Sequence, residues 1–181
     1  MLHFIYTQPL SRVIIIMAIA IAIWGYARTK LYGKRWNIAN ALLACGMVMA
    51  ILCITIMGRT TGERTLILKP FASLTVARTQ SEAYRELLMN IFLFFPLGLT
   101  LSNALPQSWG RWRRIGLTVT IGLLLSAGIE YTQYRFALGV AETDDVICNT
   151  LGVFIGSTSL LIAHGIEKYK EKTIKHDSNK N

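Results

Sequence analysis

Five long apolar segments restrict the folds that this chain can adopt. They cover residues 13–27, 37–57, 87–105, 115–134 and 146–166. With flanking residues, each is long enough to cross about 30 Å of hydrocarbon as a helix of roughly 20 residues. Hydrophobic side chains make up 52% of the 181 residues, which is more than an ordinary soluble domain of this size contains. The sequence therefore predicts an all-α fold, a polytopic membrane bundle of about five transmembrane helices.

The polar connections divide the chain into three regions. Residues 1–65 hold two predicted spans and the start of a polar loop, residues 66–166 form a core with three spans, and residues 167–181 form a basic tail. The longest polar stretch, residues 58–86, separates the second span from the third. We therefore expect no separate soluble domain.

The distribution of basic residues predicts an orientation. Twelve Lys and Arg residues lie in the connections after the first and third spans and in the tail, whereas seven lie on the other side. Short cytoplasmic connections are enriched in Lys and Arg. We therefore expect the N-terminus and the loop 58–86 to lie outside and the C-terminus to lie in the cytoplasm.

Three other interpretations of these features are weaker. The first segment resembles a cleaved secretory signal, but four basic residues follow it, which favours a retained span. The net charge of +9 is better explained by topology and anionic lipid than by nucleic acid, because the charges flank the spans. The cysteines, Cys45, Cys53 and Cys148, have no CxxC spacing, so we expect them to be apolar fillers, with no disulfide, metal or cofactor.

Polar residues interrupt three predicted spans at a similar depth. Asn90 lies near the outer end of the third span, and Glu130 lies about 6 Å below the outer end of the fourth at 1.5 Å per residue. Gln133 shares the helical face of Glu130, and Asp145 and Asn149 share a face at the start of the fifth span. Lipid contact is costly for such groups, so they turn inward. These five residues predict an outward-facing polar pocket that binds a ligand.

Each of these residues also has a structural explanation. Glu130 can reach the headgroup region, and carboxylates such as Asp144 and Asp145 are favourable at a helix N-terminus. The two asparagines can hydrogen-bond neighbouring helices, and the spacing of Gly152 and Gly156 is typical of close helix packing, within the chain or in an oligomer. The functional hypothesis therefore depends on the combination of residues.

Four motifs in order give the chain a resemblance to a known family. They are "LILKPF", "NIFLFFPLG", "IEYTQY" and "GVAETDDVICNTLGVFIG". Over residues 66–166 the sequence resembles the VanZ-like membrane proteins. The resemblance implies a small protein of the bacterial plasma membrane with a role in resistance to the glycopeptide teicoplanin.

The family's recurrent polar residues correspond to positions of this chain that the pocket hypothesis also selects. They are Asn90, Glu130, Gln133, Asp145 and Asn149, with Gly98 and Gly152 as the family's glycines. Many relatives carry an arginine where this chain has Gly139 or Val140. If that arginine binds an anion, Arg135 would have to replace it here.

Two functions suit such a pocket. In the first, the protein binds a membrane lipid, a lipid-linked envelope molecule or a lipoglycopeptide at the outer leaflet. In the second, it is an enzyme that modifies an envelope lipid or glycan precursor, with Glu130 and Asp145 as candidate catalytic acid and base. A divalent cation held by Asp144, Asp145 and Glu130 is a variant of this hypothesis. A proton-coupled transporter is weaker, because the polar residues cluster at one end.

Overall fold

The computed structural model describes residues 10–31, 33–57, 59, 61–77 and 80–178. Its helices are α1 (Leu10–Lys30), α2 (Lys34–Thr55), α3 (Ala72–Ala77), α4 (Ser81–Ala104), α5 (Arg111–Phe136), α6 (Thr143–Ser157) and α7 (Ser159–Ser178). Two short strands, β1 (Thr65–Ile67) and β2 (Val140–Glu142), pair in parallel. The predicted helical fold is confirmed.

The five predicted spans are confirmed as well. Within the described residues, five helical segments are long and apolar enough to cross a membrane: Ser11–Lys30, Lys34–Thr55, Ser81–Ala104, Arg111–Phe136 and Thr143–Lys175. The structural spans extend beyond most of the predicted boundaries, because charged and polar residues continue the helices past the apolar segments. The basic tail also continues helix α7, as far as Ser178.

The fifth span consists of two helices separated by a turn at Thr158. Thr158 ends α6, where its hydroxyl donates to the Ile155 carbonyl at 2.6 Å. Such side-chain bonds compete with regular helical hydrogen bonds, which explains why the run Ser157 to Ser159 interrupts the helix. The turn directs α7 against α1, where a methyl group on Gly25 would lie 2.9 Å from the Ser159 carbonyl oxygen.

Helix α4 is the centre of the bundle, and its closest neighbour is α6. A methyl group on Gly152 would lie 2.1 Å from the Ile91 carbonyl oxygen, and one on Gly98 would lie 2.1 Å from the Val153 carbonyl oxygen. A methyl group on Gly156 would likewise lie too close to the Phe95 carbonyl oxygen. The glycine spacing of α6 therefore serves close packing against α4 within the chain.

The two ends of the bundle differ in chemistry. At one end, which we call the acidic end, β1 pairs with β2 directly before the acidic start of α6; Leu66 is opposite Ala141 in the register. At the other end, which we call the basic end, residues 105–110 connect α4 to the arginine-rich start of α5. The loop that contains β1 and α3 closes over the acidic end and positions the candidate site.

Candidate functional site

A pocket of about 420 Å³ opens at the acidic end between the loop, α2, α4 and α6. Its polar side chains come from the loop, from the first turns of α4 and from the β2–α6 junction: Arg59, Ser73, Glu86, Asn90, Glu142 and Asp145. Its apolar side chains include Ile54, Leu87, Met89, Leu93 and Val140. We call this site the acidic pocket, because it holds three carboxylates and one guanidinium. It therefore favours a ligand that carries a cation or hydrogen-bond donors.

Asn90 and Asp145 meet in the acidic pocket, although they lie on different helices. The Asn90 side-chain amide donates to Asp145 Oδ1 at 2.6 Å. Glu86 lies one turn before Asn90 on α4 and lines the same pocket. The structure thus brings together two of the five residues that the sequence selected, and both line the cavity.

Glu130 lies behind the pocket and does not line it. Its side chain is 8% exposed, and Oε2 accepts a hydrogen bond from the Glu142 backbone N–H at 3.0 Å. Asp145 and Arg59 are close enough to interact electrostatically with the Glu130 carboxyl group. Glu130 therefore positions β2 without being open to the site.

Gln133 and Asn149 are also buried behind the pocket. The Gln133 amide donates to the Thr55 carbonyl at 3.1 Å, and the Asn149 amide donates to Ser126 Oγ at 2.8 Å. Among the described residues, the side-chain oxygens of Gln133 and Asn149 have no hydrogen-bond partner. Both residues connect helices, and for Asn149 this is the structural role that interhelical hydrogen bonding offers.

Arg59 is a site residue that the sequence reasoning missed. It lines the acidic pocket, and its Nη1 donates to the Leu138 carbonyl at 3.4 Å. A methyl group on Gly139 would lie 2.6 Å from Nη1, so the glycine leaves room for this guanidinium. Arg135, the expected substitute for the family's arginine, is exposed at the end of α5 with its guanidinium 5.9 Å from the Phe136 ring centre. Arg59 is therefore the arginine of the pocket.

Asp144 has a structural role. Its side chain is 4% exposed, and it accepts hydrogen bonds from the backbone N–H groups of Phe71 at 2.5 Å and Ser73 at 2.7 Å. Ser73 Oγ donates in turn to Glu142 at 2.5 Å. These bonds attach the loop to the start of α6.

The carboxylates do not form the cation site considered for Asp144, Asp145 and Glu130. In the part of the chain that the structure describes, no group of three His, Cys, Asp or Glu residues is arranged to hold a metal ion. The three carboxyl groups are held by different parts of the chain, because Asp144 accepts from the loop, Asp145 from Asn90 on α4 and Glu130 from the backbone of β2. Asp144 in particular is directed away from Asp145 and toward the loop.

Comparison with known proteins places this architecture in a family. The chain is 33% identical over 96 residues to Protein VanZ of Enterococcus faecium, a match that covers 52% of this chain and 51% of that protein. The chain thus spans about half the length of the curated relative that it matches, and no solved structure matches it. A family model described as VanZ/LLP1 matches residues 13–164. Because this match extends over most of the chain, the protein belongs to the VanZ/LLP1 family.

Proposed function

We propose that the acidic pocket binds the polar part of a lipid-linked envelope molecule at the outer leaflet of the bacterial plasma membrane. Through this binding the protein lowers susceptibility to teicoplanin. The observation that carries the proposal is the composition of the pocket, which combines three carboxylates with an apolar wall. An amphiphile with an amine or hydroxyl groups on its polar part could donate to the carboxylates and place its apolar part against the apolar wall.

The position of the pocket supports this class of ligand. Asp145 is the third residue of α6, and Asn90 of α4 donates to it, so the pocket lies at the start of the last span. Leu87 and Leu93 line the side of the pocket formed by α4. A molecule anchored in the leaflet can therefore present its polar part to Asp145 while its tail remains in lipid.

Binding is favoured over catalysis by the position of Glu130. An acid and base pair must both reach the reacting group, yet only Asp145 of the two candidates lines the pocket.

Transport is disfavoured by the core below the site. Phe94, Leu97 and Val153 are all 0% exposed, and along α4 and α6 they lie between the acidic pocket and the basic end.

The orientation of the protein is testable by cysteine labelling. In a variant with Cys45, Cys53 and Cys148 replaced by alanine, we expect a membrane-impermeant maleimide to label Glu63→Cys on intact cells. Lys172→Cys is expected to react only after the cells are permeabilised, because the basic end faces the cytoplasm. The reverse labelling pattern would place the acidic pocket on the cytoplasmic side and contradict the proposed function.

The proposed function is tested by drug susceptibility with isosteric changes in the pocket. A sensitive bacterium that makes the wild-type protein is expected to tolerate more teicoplanin, with little change toward vancomycin. Asp145→Asn keeps an oxygen that can accept from Asn90 but removes the charge, so we expect the protection to be lost. A lost charge-assisted hydrogen bond weakens binding about tenfold or more.

Two controls make this experiment decisive. Glu171→Gln removes an exposed carboxylate from α7, at the other end of the bundle, and is expected to protect like the wild type. Membrane levels of every variant are compared by immunoblot. Full protection by a well-expressed Asp145→Asn protein would refute the role of this carboxylate, and no protection by the wild type would refute the resistance function.

A further inference from the structure

A second cavity, of about 200 Å³, lies at the basic end of the bundle. Its wall is formed by the end of α1, the α4–α5 connection, the start of α5 and the face of α7. The lining includes three arginines, Arg28, Arg111 and Arg114, together with His164. Asn90 and Ala104 are fourteen residues apart on α4, so this basic cavity is about 20 Å from the acidic pocket.

Arg114 is the most informative residue of the basic cavity. Its side chain is 2% exposed although it lies in the first turn of α5. One terminal nitrogen, Nη2, donates to the Ser102 carbonyl at 2.5 Å, but Nε is buried and has no hydrogen-bond partner in the part of the chain that the structure describes. A buried guanidinium with an unused donor is costly unless a further acceptor is present.

The charges around Arg114 do not supply that acceptor. The charge that acts on its guanidinium is that of Arg28, which has the same sign. The one carboxylate that lines the cavity, Glu167, acts on Arg28 instead. Arg28 itself hydrogen-bonds only weakly to Asn103, at 3.4 Å. The cavity thus has an excess of positive charge.

We propose that the basic cavity binds a phosphate group through Arg28, Arg111 and Arg114. Guanidinium groups match phosphate oxygens with two hydrogen bonds each. A bound phosphate would neutralise the like charges of Arg28 and Arg114 and so offset the cost of burying the Arg114 guanidinium. A volume of about 200 Å³ accommodates one such group, since a water molecule takes roughly 30 Å³.

The surroundings of the cavity suit a phosphate that comes from a phospholipid headgroup. The connection between two spans lines it, and Trp109, which stacks on Arg113 at 4.2 Å, belongs to a residue type enriched at the level of headgroups. Basic pockets between helices at this level bind anionic headgroups. A free phosphate ion offers the same chemistry, so the experiment must separate the two sources.

The test measures binding to the purified full-length protein in a neutral detergent by thermal shift. The probes are dioleoyl phosphatidylglycerol and inorganic phosphate, each compared with sodium chloride at equal ionic strength. The variants are Arg28→Gln and Arg111→Gln, and the matched control is Arg35→Gln, an exposed arginine near the same end that does not line the cavity. Arg111 is exposed, so its replacement should leave the fold intact.

We expect saturable stabilisation by phosphatidylglycerol, with affinity about tenfold lower in each cavity variant and unchanged in Arg35→Gln. Saturable stabilisation by inorganic phosphate, with the same response to the variants, would support the site and identify the free ion as a sufficient ligand. Absence of saturable binding by both probes would overturn the proposal. Equal affinity in the wild type and both cavity variants would overturn it too.

Discussion

Gly152→Ala is expected to destabilise the bundle by about 3 kcal/mol, at the upper end of the usual cost of overpacking. The added methyl group would lie 2.1 Å from the Ile91 carbonyl oxygen, which is backbone and cannot rotate away. Helices α4 and α6 would have to separate, and Asp145 would move away from Asn90. The measurement is the unfolding midpoint of the purified protein in detergent, with teicoplanin protection as a second readout.

The matched control for this experiment is Gly128→Ala on α5. Among the described residues, a methyl group at Gly128 would meet no atom of another helix within 4 Å, and alanine favours a helix over glycine by about 1 kcal/mol. This variant should therefore unfold at the same temperature as the wild type or slightly higher. Equal midpoints for the two variants would contradict the close packing of α4 against α6.

Asp144→Ala is expected to release the loop from the acidic end while the spans remain folded. The change removes the acceptor of two backbone N–H groups, those of Phe71 and Ser73, and each orphaned donor costs roughly 1–3 kcal/mol. Phe71 also has a left-handed backbone with φ of 63°, which is unfavourable by about 1–2 kcal/mol. The Asp144 carboxylate holds this strained residue in place.

Limited trypsin digestion of the purified protein measures this release. Cleavage after Arg64 should become more than tenfold faster in Asp144→Ala, because proteolysis follows the population of the open loop. Glu82→Ala removes an exposed carboxylate from the first turn of α4, away from the cleavage site, and should be cleaved like the wild type. Unchanged cleavage in Asp144→Ala would show that other contacts hold the loop.

Much of the fold could be predicted from the sequence, because the hydrocarbon thickness sets the length of each apolar segment. The turn at Thr158 was missed, since hydropathy alone continues through the Ser157 to Ser159 run into α7. The pairing of β1 with β2 was also missed. Strands of three residues, far apart in the chain, leave no periodic pattern that distinguishes them from loops.

The candidate site could be predicted in its position but only partly in its members. The inward face of Glu130, Gln133 and Asn149 follows from helical spacing, and all three are buried. Helical spacing does not show which of the selected residues line the pocket and which lie behind it, because that depends on the part of the site that the loop covers. Arg59 could not be identified, since its place beside Gly139 depends on a contact between distant parts of the chain.

The three attachments between the loop and the β2–α6 junction have a consequence for chimeric proteins. The strand pair, the Asp144 bonds and the bond from Ser73 to Glu142 all join residues 65–73 to residues 140–144. A loop transplanted from a relative without its matching junction would bring donors to a surface that lacks their acceptors. The two segments therefore form one exchangeable module, and a change of ligand preference by segment exchange requires moving both together.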